Sequence, residues 1–125
     1  MHTMEIHLNG SKANAHFRDL VLETGTGSPS PFELFIASLG TCAALTAAGY
    51  CRKKGLSAEG LKINIDVERH PDTRLASEIK MEFVIPAGFP QEEIAPLVEL
   101  AGDCFVKKHL YTAPQFTTAV TQQLR

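Results

Sequence analysis

Apolar and polar residues alternate over Met4–Leu8 and again over His16–Glu23, which predicts two short strands joined through a turn at Asn9-Gly10-Ser11-Lys12. The stretch Thr24–Pro31, with two glycines and two prolines, cannot extend a ladder and reads as a loop. A helix start follows at once. Ser30 fits an N-cap, Pro31 the first helical position and Glu33 the third, where its carboxylate completes a capping box and meets the positive end of the helix dipole. The helix is expected to run to the basic trio Arg52-Lys53-Lys54, with Gly55 closing it. Its small side chains on nearly every face let other backbones approach closely, so it is placed at the centre of the molecule or in a subunit interface.

Beyond it, Leu61–Arg69 alternates and Ile79–Ile85 is a further apolar run, together predicting a hairpin turned at His70-Pro71-Asp72-Thr73. Gln91–Lys108 carries Ile94, Leu97, Val98, Ala101 and Phe105 at helical spacing, so a second amphipathic helix is expected, with Pro96 as a kink or a shifted start. Phe116–Leu124 is expected to form a last strand. The order strand, strand, long helix, strand, strand, helix, strand predicts an α+β fold with antiparallel sheets around a long helix. No repeat or linker divides residues 1–125, so one domain is expected.

Composition narrows the classes of function. The chain has 125 residues, 44% apolar and 21% charged, as in an ordinary folded domain rather than a disordered segment. Its net charge is −2, and the basic residues gather only at Arg52-Lys53-Lys54 and Lys107-Lys108-His109, which disfavours nucleic acid as a partner. The nearly uncharged stretch Leu34–Tyr50 is 17 residues long and interrupted by Ser38, Gly40, Thr41, Thr46 and Gly49, so it reads as a buried helix and no membrane is expected. The Met-His-Thr-Met-Glu-Ile start has no basic n-region before an apolar run, and a cytoplasmic protein is expected.

Three cysteines without an export signal do not form a disulfide framework; they point to small core residues or to a reactive thiol. Cys42 and Cys51 lie nine residues apart on the long helix and so on opposite faces, whereas Cys42 and Cys104 meet only if the two helices pack together. Cys104 and His109 with Cys42 lack the paired spacing of a zinc site, and the scattered histidines show no ligand pattern, so no metal is expected. Gly25-Thr-Gly-Ser-Pro has no phosphate-loop lysine, and no cofactor is expected.

The block Ser30-Pro31-Phe32-Glu33-Leu34, running through Leu39-Gly40-Thr41 to Cys42, together with Cys104-Phe105-Val106-Lys107-Lys108-His109-Leu110, resembles the OsmC/Ohr family of thiol-dependent peroxidases. The likeness covers nearly the whole chain. It implies a two-layer, intertwined homodimer in which both subunits shape each site. Cys42 would be the peroxidatic thiol, attacking a small organic hydroperoxide or hydrogen peroxide and becoming a sulfenic acid. Cys104 would resolve it to a disulfide, which a dithiol, such as a lipoylated protein, would reduce.

A thiol doing this must be ionised, and burial opposes that, so a cation is needed nearby. The resemblance implies an arginine fixed by a glutamate, for which Arg18 and Glu33 are the candidates. The chain departs from the family pattern twice. Phe32 holds the position ten residues before the cysteine where peroxidase members carry glutamate, and Phe105 replaces the proline after the second cysteine. These departures align it with the divergent OsmC-like branch. They also keep open an alternative: the same dimer, weakly active or inactive, binding a small apolar or electrophilic ligand.

Overall fold

A computed structural model describes residues 2–124. Five strands and three helices follow one another as β1 (Glu5–Asn9), β2 (Lys12–Phe17), β3 (Leu20–Gly25), α1 (Pro31–Lys54), β4 (Lys62–Arg69), β5 (Ala76–Val84), α2 (Gln91–Gly102) and α3 (Phe105–Tyr111). The strands form two antiparallel sheets, β1-β2-β3 and β4-β5, so the α+β class expected from the pattern is what the chain adopts.

The first sheet has one more strand than the alternation predicted. The run expected as a single strand over His16–Glu23 is split, because Arg18 adopts a left-handed φ of 52° and the chain reverses at Arg18-Asp19, pairing Phe17 with Leu20. An alternating pattern that continues through a two-residue turn hides it. The register places Ile6, Leu8, Ala13, Ala15, Leu20 and Leu22 on one face, with Glu5, His7, Lys12, Asn14, His16 and Glu23 on the other.

The second sheet follows the expected hairpin, with β5 beginning earlier, at Ala76. Ile63 faces Phe83, Ile65 faces Met81 and Val67 faces Ile79, so one side of the hairpin is an apolar surface. Against it lies α1. Its start is built as its sequence dictates: Ser30 Oγ accepts from the Glu33 amide at 3.1 Å, and Glu33 Oε1 accepts from the Ser30 amide at 2.8 Å. Gly55 ends the helix in the left-handed conformation, φ 68°. Gly40 marks the close approach of α1 to β4, since a Cβ there would lie 2.7 Å from Ile65 Cδ1 and push the end of that side chain aside.

Along α1, every fourth residue from Leu39 through Ala43 and Ala47 to Cys51 is buried. The lower part of this stripe meets Leu97 and Ala101 of α2, with Phe89 closing the cluster. By length and composition α1, at 24 residues, would suffice to cross a bilayer, more than the interrupted Leu34–Tyr50 stretch suggests; in this fold α2, α3 and β4 pack on it instead.

The expected second helix, Gln91–Lys108, is two helices. Pro96 stays inside α2, but the helix stops at Gly102, Asp103 leaves helical geometry (φ −108°, ψ 54°) and α3 begins after Cys104. Gly102 has a low helix propensity, and its carbonyl accepts a hydrogen bond from Lys107 Nζ at 3.1 Å, which holds the break. Nor does Phe116–Leu124 pair as a strand within the chain; it runs exposed and without regular structure.

One polar link fixes α1 to α2. The Tyr50 hydroxyl donates to Glu93 Oε2, and Lys54 Nζ lies 3.8 Å from Glu93 Oε1. The hydrogen bond to Glu93, reinforced by burial and by the nearby negative charge, pushes the Tyr50 phenol up to about 12 from its usual 10.0. Because the folded-state value is raised, the stabilisation is complete below about pH 10 and lost as the pH climbs through about 12. Urea midpoints compared at about pH 8 and about pH 11 are expected to fall more for the wild type than for Tyr50→Phe. An equal fall in both would show that the phenol does not carry the effect.

Candidate active site

Cys42 projects from the middle of α1 and is half-buried; Cys104 is buried, 2% exposed, at the N-cap of α3. The helix break puts it there. Cys104 is thus not inside a long second helix, as the spacing predicted, but on the extended residue between two short ones, φ −72° and ψ 162°. Its sulfur lies 3.9 Å from the Leu39 carbonyl. Leu39 precedes Cys42 by three residues, less than one helical turn and on the same side of α1. The two distant cysteine segments therefore come together on one stretch of α1, with both thiols free. Cys51 is 1% exposed and packs in the apolar cluster with Ala47 and Leu97, so it is a core residue.

The expected arginine–glutamate pair is not formed within the chain. Arg18 sits on the exposed β2–β3 turn, its guanidinium 6.0 Å from the Phe17 ring, rather than on a strand as the alternation implied. Glu33 is engaged by its own helix start, about 14 Å along the α1 axis from Cys42. Among the described residues, no arginine lies within ion-pair distance of Glu33.

A different arginine reaches the start of α1. Arg69 stacks its guanidinium 4.3 Å from the Phe32 ring centroid and donates from Nη1 to the Arg74 carbonyl at 2.9 Å. Arg69 is the last residue of β4, beside the turn into β5. The signal available was Phe32 itself, an aromatic ring at the position where the resemblance implies a carboxylate, offering a cation its face instead of a charge.

Residues 24–119 match the family model described as OsmC-like protein. No curated protein matches the sequence. Among solved structures, an OsmC-like protein from Mycoplasma pneumoniae superposes with a TM-score of 0.74 at 16% identity, covering 88% of this chain and 86% of that one. The organic hydroperoxide resistance protein OsmC from Legionella pneumophila gives a TM-score of 0.53 at 18% identity, with 86% of each chain covered. The organic hydroperoxide resistance protein OhrB of Bacillus subtilis gives 0.52 at 15%, covering 86% of this chain and 90% of that one. At such identities the superpositions speak for the fold, while the family model spans most of the chain; this protein belongs to the OsmC family.

Proposed function

We propose that the protein is a cytoplasmic, homodimeric, thiol-dependent peroxidase. The Cys42 thiolate attacks the terminal oxygen of a hydroperoxide; the O–O bond breaks, the alcohol leaves with a proton, and a sulfenic acid remains. The Cys104 thiol then displaces that oxygen as water, forming the Cys42–Cys104 disulfide. An external dithiol, free or lipoyl-bound, restores both thiols and becomes a disulfide itself. The observation that carries this reading is the Cys104 sulfur 3.9 Å from the carbonyl of Leu39, on the turn of α1 that leads to Cys42.

Apolar surface supports a second copy of the chain. The apolar face of the first sheet has little cover from the rest of the chain, with Ile6 62% and Leu8 87% exposed. Phe116, Val120 and Leu124 stand exposed at every fourth position of an unpaired tail. A tail of that kind adds to a partner's sheet edge, and paired sheets cover one another's faces. In such a dimer Arg18, exposed on its turn, is the cation offered to the thiol across the interface. Glu33 remains in the helix cap.

One equivalent of tert-butyl hydroperoxide is expected to consume two thiols per chain, with Cys51 left free and one Cys42–Cys104 linkage seen by peptide mapping. Cys42→Ser is expected to abolish peroxide consumption, and Cys104→Ser to leave a trappable sulfenic acid. Consumption that survives Cys42→Ser overturns the assignment. Arg18→Ala is expected to slow turnover by about tenfold or more, as for loss of one charge-stabilising group, with the mapped linkage unchanged.

A further inference from the structure

We infer that the cavity between β5 and the three helices binds a medium-chain aliphatic carboxylate, with Lys107 as the group that pairs with its charge. The cavity measures about 340 Å³. That is at the small end of ligand sites and has room for about eleven water-sized groups at about 30 Å³ each. Its walls are apolar: Leu39 from α1, Ile79, Met81 and Phe83 from β5, and Val98 from α2. Three of these are the β5 residues that face β4 partners, so the strand pairing fixes the floor.

Among the described residues, Lys107 is the one charged residue lining this space. Its stem is half-buried and its ammonium is held from two sides, by the Gly102 carbonyl at 3.1 Å and by the Tyr111 ring 5.9 Å away. Among the described residues no carboxylate lies within ion-pair distance of it. The helix break makes this arrangement, because α3 restarts after Cys104 and carries Lys107 to the rim, its ammonium bonded to the Gly102 carbonyl at the end of α2.

An apolar chamber with one positioned, uncompensated cation selects a particular kind of molecule. A neutral chain fills the walls and leaves the ammonium without a counter-charge. An amine meets repulsion, and a dicarboxylate buries a second charge with no partner. A chain of about eight carbons with a single carboxylate satisfies both parts of the site. This inference does not depend on Cys42 being reactive, and its readout is binding rather than turnover.

Titration calorimetry of the full chain at neutral pH, with sodium octanoate and 1-octanol, tests it. Octanoate is expected to bind one per chain, at least about tenfold tighter than octanol, as for a hydrogen bond to a charged group. Lys107→Met is expected to erase that difference by weakening octanoate, with octanol still bound. Lys108→Met, which removes the exposed neighbouring charge, is expected to change neither. Gly102→Phe is expected to abolish both by filling the chamber, since a Cβ at Gly102 meets nothing within 4 Å, and to keep the helical circular-dichroism signal of the wild type. Absence of octanoate binding, equal affinity for the two probes, an unchanged Lys107→Met, an equal loss in Lys108→Met, or binding that survives Gly102→Phe in a folded protein would each overturn the proposal.

Discussion

Replacing Leu97 by Ala is expected to destabilise the fold by about 2 to 5 kcal/mol, toward the upper end of that range. Leu97 is fully buried, and the buried helical residues of its cluster are short, Ala47 and Cys51 on α1 and Ala101 one turn along α2, while the larger Phe89 closes the cluster and Phe83, Ile94 and Val98 pack at its edge. Short side chains have no length with which to swing into a void, and both helices are held by other contacts, Tyr50 to Glu93 among them. The space left by Leu97 would therefore stay largely open, and cavity volume sets the cost where collapse is prevented. With a urea dependence of about 1 to 3 kcal/mol per molar, the unfolding midpoint is expected to drop by more than about 1 M. Leu97→Met, which nearly conserves volume, is expected to cost less than about 1.5 kcal/mol. Equal midpoints for the Ala and Met variants would show that α2 relaxes onto α1 and that the packing argument is mistaken.

The same small-residue stripe explains what the sequence revealed and what it concealed. The start and end of α1 were legible to the residue, because Ser30, Pro31, Glu33 and Gly55 act on backbone groups a few positions away. The β4–β5 hairpin was legible because apolar residues two apart share a face. The Arg18-Asp19 turn was not: it lacks the Asn-Gly or Asp-Gly signal, and the alternation of His16–Glu23 runs through it. The break before Cys104 was also concealed, since Leu97, Ala101 and Phe105 keep helical spacing across it and only Gly102 marks the stop. Of the candidate site, both cysteine positions were legible as residues. Their approach through Leu39 depends on tertiary packing, and so does the stacking of Arg69 on Phe32, whose partners stand far apart in the chain.

Gly25→Ala is expected to be among the most damaging single substitutions outside the core. Gly25 ends β3, paired with Lys12, and begins the loop into α1; its amide donates to Pro29 O at 3.2 Å and its carbonyl accepts from the Ser28 amide at 2.9 Å. Its φ of 108° lies where side-chain-bearing residues are strained by about 1 to 3 kcal/mol. A Cβ there would also lie 2.4 Å from the Ser11 carbonyl oxygen and 3.1 Å from Lys12 Cα, both backbone atoms that cannot rotate aside. Relief requires moving the β1–β2 turn or the strand end, and either opens the first sheet. Gly27 supplies the control, with a φ of 80° but nothing within 4 Å of its built Cβ, so Gly27→Ala carries the backbone term without the collision. Amide exchange is expected to accelerate throughout β1, β2 and β3 in Gly25→Ala while α1 and α2 stay protected, because the sheet has few contacts with the helices. In Gly27→Ala the sheet is expected to keep its protection, and similar exchange in the two variants would remove the close approach of Ser11 as the cause.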